Sequence, residues 1–141
     1  MKARGRCGHH QVKLPRFGFL VVPDIEGWTI GVADSHRTAF AQVDEAVALW
    51  RGGLATSSTT VRRWRAGDTT QHHIVDPATG RSAQSGWRTV TVAAADCVEA
   101  NTLATWGVIH GPVGAARAGC PYRAVTDAGE VVRGNGWPEP S

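Results

Sequence analysis

The chain is predicted to be an α+β domain, mostly antiparallel sheet with two helices packed on one side. Short β-type runs recur with Gly- and Asp-containing turns between them, the pattern of strands that pair with their neighbours. One long stretch, Asp96 to His110, carries helix start and stop signals, and a shorter helical stretch follows it before two further strands.

Taken in order, residues 1–26 are a basic start, disordered or non-native, because Gly and Arg recur there without periodicity. Within it, Phe17–Val22 has the composition of a short strand. Trp28–Ala33 is a better strand, and Asp34–Thr38 is polar and turn-like. Ala39–Trp50 is ambiguous: Val43, Ala46, Val47 and Trp50 fall at helical spacing, while Ala46–Trp50 is an acceptable strand. Gly52-Gly53 marks a turn, Leu54–Ser57 a strand ending in hydroxyls, and Arg62–Arg65 another strand. Gly67-Asp68 turns the chain toward a partner strand at His72–Val75.

Asp76-Pro77-Ala78-Thr79 is a type I turn, with Asp at its first position and Pro pre-setting the second, and Gly80 lets the chain leave at unusual backbone angles. Trp87–Ala94 sets Trp, Thr and Thr against Arg, Val and Val, a sheet pattern with one Thr-bearing side. Asp96 is a helix N-cap, and Glu99 three residues on completes a capping-box-like pair. Gly111-Pro112 stops that helix near His110; a second helix spans Val113–Ala118, and strands follow at Tyr122–Thr126 and Glu130–Arg133.

At 141 residues the chain is long enough for one domain with its own core. A content of 42% apolar and 19% charged residues is globular, so a wholly disordered chain is excluded. The formal charge of +3 does not mark a nucleic-acid binder, because Lys2, Arg4, Arg6, Lys13 and Arg16 hold the excess and the remaining residues carry −2. Cys7, Cys97 and Cys120 are scattered with no CxxC pair, which fits a reducing cytoplasm. The apolar run at Phe17–Val22 is too short for a membrane span.

Chemistry concentrates at His72-His73-Ile74-Val75-Asp76-Pro77-Ala78-Thr79-Gly80, which joins a proton-transfer group, a carboxylate, a hydroxyl and a tight turn. Strand side chains alternate, so the two histidines cannot share a pocket without a bulge; one is functional and the other exposed. The same residues also make an ordinary β-turn. On the long helix, Asn101 and Thr105 lie four apart and stack their oxygens on one face. Two hard oxygen ligands there suit Mg²⁺, although the pair by itself reads first as two polar residues facing solvent or bonding locally.

Four stretches in fixed order carry a resemblance: Leu54-Ala55-Thr56-Ser57-Ser58, His73 to Gly80, Trp87-Arg88-Thr89-Val90-Thr91-Val92, and Ala100-Asn101-Thr102-Leu103-Ala104-Thr105. Together they resemble the C-terminal half of an ApbE-type FAD:protein FMN transferase, over about four fifths of the chain, from Gly27 to Pro138. The resemblance implies a partial, T-fold-like domain over 27–141 and makes the ambiguous 39–50 region strand-like.

It also implies an activity, the Mg²⁺-dependent transfer of FMN from FAD to a Thr or Ser of a target flavoprotein, with release of AMP. His73, matching the single histidine of the family's His-Ile-x-Asp-Pro-x-Thr-Gly motif, is then the base or the phosphate-positioning group. Thr56 and Ser57 match an Ala-Thr-Ser-Gly stretch beside the flavin phosphate, with Ser58 at the glycine position. Ile74 contributes backbone and apolar contact to the flavin; Thr79 completes this cofactor-side set while helping Asp76 fix the turn. Asn101 and Thr105 match a metal-ligating Asp-x-x-x-Thr, and Asn in place of Asp removes a negative charge, so metal is held more weakly.

Chains of that family are longer at the N-terminus, and their Asp-Leu-Gly-Gly-x-x-Lys-Gly-like segment has no match before Asp24. The expectation is a truncated transferase of open activity, complemented by a separately encoded N-terminal half or self-associating through unpaired sheet edges. The alternative is a non-catalytic remnant, a flavin-binding or interaction module.

Overall fold

The computed structural model describes residues 12–13, 28–34, 38, 43 and 45–139. Strands β1 (Val12–Lys13), β2 (Trp28–Val32) and β3 (Glu45–Leu49) form an antiparallel sheet in the order β1-β3-β2. Strand β4 (Gly53–Ser58) is followed by two small hairpins, β5 (Arg63–Ala66) with β6 (Thr69–His72), and β7 (Val75–Asp76) with β8 (Arg81–Ser82). Then come β9 (Trp87–Ala94), the helices α1 (Cys97–His110) and α2 (Val113–Ala118), β10 (Tyr122–Thr126) and β11 (Val131–Gly134). The second sheet is antiparallel in the order β11-β10-β9-β4, so β4 is an edge strand. The architecture is the predicted α+β one.

Both faces of β9 are buried, which decides the layering. Val90, Val92 and Ala94 pack under α1 against Ala100, Ala104 and Val108, all fully buried. Ala93 on the opposite face joins Val32, Val47 and Trp137 in a second cluster beneath the β1-β3-β2 sheet. Helices, four-stranded sheet and three-stranded sheet therefore stack in that order, and each buried Val contributes about 1.5–3 kcal/mol by leaving water.

The helix is anchored where the sequence placed it. Asp96 caps it by accepting from the Glu99 N–H at 2.8 Å, and the Glu99 carboxylate accepts from the Ala95 N–H at 3.2 Å. Its inward face is built of small residues, so α1 rides close to the sheet; a Cβ on Gly53 would lie 2.3 Å from the Cys97 backbone nitrogen. Gly53→Ala is thus expected to push α1 off β4 and cost about 3 kcal/mol, read as a shift in the urea midpoint. An unchanged midpoint would mean that the helix start can move freely.

Several expectations change. The strand expected over His72–Val75 is interrupted: β6 ends at His72, and β7 starts at Val75 after a bend. The alternation expected in Trp87–Ala94 breaks at its first two residues, because pairing with β10 shifts between Val125, opposite Thr89, and Thr126, opposite Trp87. Arg88 is the residue passed over. Trp87 packs with the helix-side cluster, while Arg88 reaches across to Asp34.

The 39–50 region is strand from Glu45, buried at every position, and residues 39–42 and 44 lie outside the described residues. So do the expected strand at 17–22 and the start over 1–26, apart from Val12–Lys13, which pairs with Leu49 and Ala48. Cys97 is free and exposed, whereas Cys120 is disulfide-bonded, a pairing that the scattered cysteines did not suggest. Among the described residues no helix is long and apolar enough to cross a membrane.

Candidate functional site

A cleft of about 840 Å³ opens where the end of β2, the end of β4, the roots of the two hairpins and one face of α1 meet. Six of the seven residues singled out from the sequence line it: Thr56, Ser57, His73, Ile74, Asn101 and Thr105. They come from three separate stretches, and only the tertiary fold joins them. Thr79 is not on the cleft; its hydroxyl accepts from the Arg81 N–H at 3.3 Å and closes its own turn.

On β4, adjacent residues face opposite sides of the sheet. Ser57 turns to the helix side, where its hydroxyl lies 2.8 Å from that of Thr105. Thr56 and Ser58 turn to the other side, 2.9 Å from the Thr91 hydroxyl and 3.2 Å from the Thr89 hydroxyl. Because β4 is an edge strand, one cleft can reach both faces around its end. Asn101, exposed and one turn before Thr105 on α1, adds an amide to the helix side.

The two histidines divide differently from the expectation of one functional and one exposed. His72 is buried, and both ring nitrogens are used: one bonds the Ala83 carbonyl at 2.9 Å, the other the Ile74 N–H at 3.3 Å. A carbonyl only accepts and an amide N–H only donates, so the ring is neutral with its proton on Nε2. Ser82 clasps the same residue, donating to the His72 carbonyl at 2.7 Å and accepting from its N–H at 2.9 Å. The Ala83 N–H bonds the Ile74 carbonyl at 3.0 Å. His73 sits between these two fixed neighbours, exposed and on the cleft wall. His72 is therefore the clamp that aims His73, a role the sequence did not assign; two histidines in a row on a strand were the only signal.

The Asp76 turn is formed as expected, with its carbonyl accepting from Thr79 at 3.2 Å and Gly80 at 2.8 Å, and its carboxylate accepting from the Ala78 N–H at 2.9 Å. Gly80 sits at φ 66°, in the left-handed region. No tryptophan lines the cleft, and Trp137 is the buried one.

Reasoning from sequence also missed the cleft's charge. Asp34 and Arg62 line it, and Asp34 is held by Arg88 at 2.9 Å and Arg123 at 2.8 Å. Arg123 in turn pairs with Glu45, which also meets Arg133 at 3.4 Å and the Trp137 indole N–H at 3.3 Å. The network lies between the sheets and pins Asp34 at the cleft wall.

Could these residues hold a metal? Among the described residues no cluster of three His, Cys, Asp or Glu could do so. Asn101, Thr105 and Ser57 offer neutral oxygens, and the one carboxylate among the described lining residues is already engaged by two arginines. That donor set fits a hard cation carried largely by substrate phosphates and not one held by protein alone.

Against known proteins, the family model described as the ApbE family matches residues 16–119. The crystal structure of the ApbE protein from Thermotoga maritima is similar at a TM-score of 0.64 and 28% identity, over 77% of this chain and 36% of that one. The chain thus spans about a third of the length of that protein. No curated protein matches.

Proposed function

The chain belongs to the ApbE family, and on that premise we propose that its cleft handles FAD and supports transfer of the FMN moiety to a Thr or Ser hydroxyl of a target flavoprotein. The observation that carries the reading is the convergence of Thr56, Ser57, His73, Ile74, Asn101 and Thr105 on one cleft. Residues spread over 50 positions of the chain meet there, as one shared binding site asks of them.

In the proposed step the acceptor oxygen attacks the phosphorus on the flavin side of the pyrophosphate. A phosphoester bond to the protein forms, the phosphoanhydride bond breaks, and AMP leaves with the bridging oxygen. His73, free of hydrogen bonds to the described residues and held between clamped neighbours, takes the hydroxyl proton or orients the phosphate. Ile74, buried yet on the cleft wall, gives an apolar contact. Thr56 and Ser57 present hydroxyls from the two faces of β4, and Asn101 and Thr105 are the residues that would hold Mg²⁺ together with the substrate phosphates. When bound, that ion neutralises charge as it shifts to the departing phosphate.

The Asp34 ion pairs favour a second reading, a flavin-binding module without turnover, since they leave the described lining no uncommitted carboxylate for a metal. One assay separates the two. Purified protein with FAD, Mg²⁺ and an acceptor carrying a flavinylation motif is expected to release AMP and leave covalent flavin fluorescence on the acceptor in a denaturing gel. FAD binding without AMP would select the module, and neither would reject both.

A further inference from the structure

We infer that Arg62 holds the pyrophosphate of the dinucleotide in this cleft, and that it does so without a divalent cation. The inference rests on the flavin-handling reading above and concerns where the neutralising charge comes from.

The ionisable side chains among the described lining residues are Asp34, Arg62 and His73. Asp34 is covered by two guanidiniums, so the wall behind it carries no net negative charge. The helix side of the cleft contributes only a neutral amide and hydroxyls, from Asn101, Thr105 and Ser57. Arg62, by contrast, is exposed, has no ion pair with the described residues, and lies on the segment between β4 and β5. Arg62 is thus the one permanent positive charge among the described lining residues, exposed and in no ion pair with them.

A pyrophosphate entering such a cleft meets a planar guanidinium whose paired N–H groups match two phosphate oxygens. It also meets hydroxyl and amide donors on the opposite faces of β4 and on α1. A protein-bound cation is not required for that recognition, and the neutral Asn101 gives such a cation little to hold. Binding and chemistry therefore separate: the phosphates are recognised by protein groups, while a cation bears only on the transfer step.

The test is FAD binding by the full chain, followed by calorimetry and flavin fluorescence, in EDTA and in Mg²⁺. Wild type is expected to bind in EDTA with an affinity within a fewfold of that in Mg²⁺. Arg62→Ala is expected to bind about tenfold more weakly in EDTA, with a shallower salt dependence, and Arg62→Lys to recover part of the loss. Arg65→Ala, on the exposed β5, serves as the control for general surface charge and is expected to match wild type.

Equal binding by Arg62→Ala and wild type in EDTA would overturn the inference. So would wild-type binding that vanishes in EDTA and returns with Mg²⁺, a result that would leave the transferase reading standing. Absence of FAD binding in both conditions would overturn the transferase reading, and this inference with it.

Discussion

His73→Ala is expected to lower the rate of AMP release by at least about a hundredfold, the lower end of what a positioned proton-transfer group contributes. FAD affinity should change by only a fewfold. The reasoning is geometric. His73 is exposed on the cleft wall and makes no hydrogen bond to the described residues, so its ring is available to an incoming hydroxyl or phosphate. Its backbone is not free to wander, because His72 and Ile74 on either side are tied to Ser82 and Ala83. Truncating the ring should therefore remove a chemical group and leave the wall in place. Turnover and binding measured side by side decide it: unchanged AMP release would take the proton away from His73. A parallel collapse of FAD binding would make the residue a positioning contact instead.

The largest effect on stability is expected from Arg123→Ala. The Arg123 side chain is 3% exposed and bridges Asp34 to Glu45, itself 4% exposed. Removing the guanidinium strips a buried carboxylate of its main partner, since Arg133 reaches Glu45 only at 3.4 Å. Breaking a buried pair from one side costs about 3–5 kcal/mol, against a total stability of about 5–15 kcal/mol for an ordinary domain. The urea midpoint should fall accordingly.

The double variant Arg123→Met with Glu45→Gln is expected to recover part of that loss, because the stranded charge is gone. A loss below about 1 kcal/mol for Arg123→Ala would mean that water reaches Glu45 after truncation. The consequence extends to the site, since Arg123 also holds Asp34 at the cleft wall.

Helices and most strands were legible from local signals. Asp96 with Glu99 at the start and Gly111-Pro112 at the end bound α1, and the cap is made by those same atoms. The Asp76-Pro77 turn with Gly80 likewise depends on residues within five positions of one another. The break after His72 was not legible, because the bend is held by His72 reaching Ala83 and by Ser82 clasping its backbone, eleven and ten residues away. Arg88 was assigned to the wrong face for the same kind of reason: a register shift against β10 is a property of two strands, not of one. The candidate residues were legible by type and by resemblance to a family motif. Their convergence was not.

Taken alone, the sequence determined where chain segments turn helical or extended, which side chains can carry protons, phosphates or metal, and which family the motifs resemble. Those properties follow from backbone preferences and side-chain chemistry, which act over a few residues. Tertiary structure decided that Ser57 and Thr56 serve opposite faces of one edge strand, that His72 clamps while His73 faces the cleft, and that Thr79 stays outside it. It also decided that Asp34 is neutralised by Arg88 and Arg123 while Arg62 keeps its charge for the cleft. The physical reason is that burial and electrostatic pairing depend on distances between groups far apart in the chain, and those distances exist only once the sheets have packed.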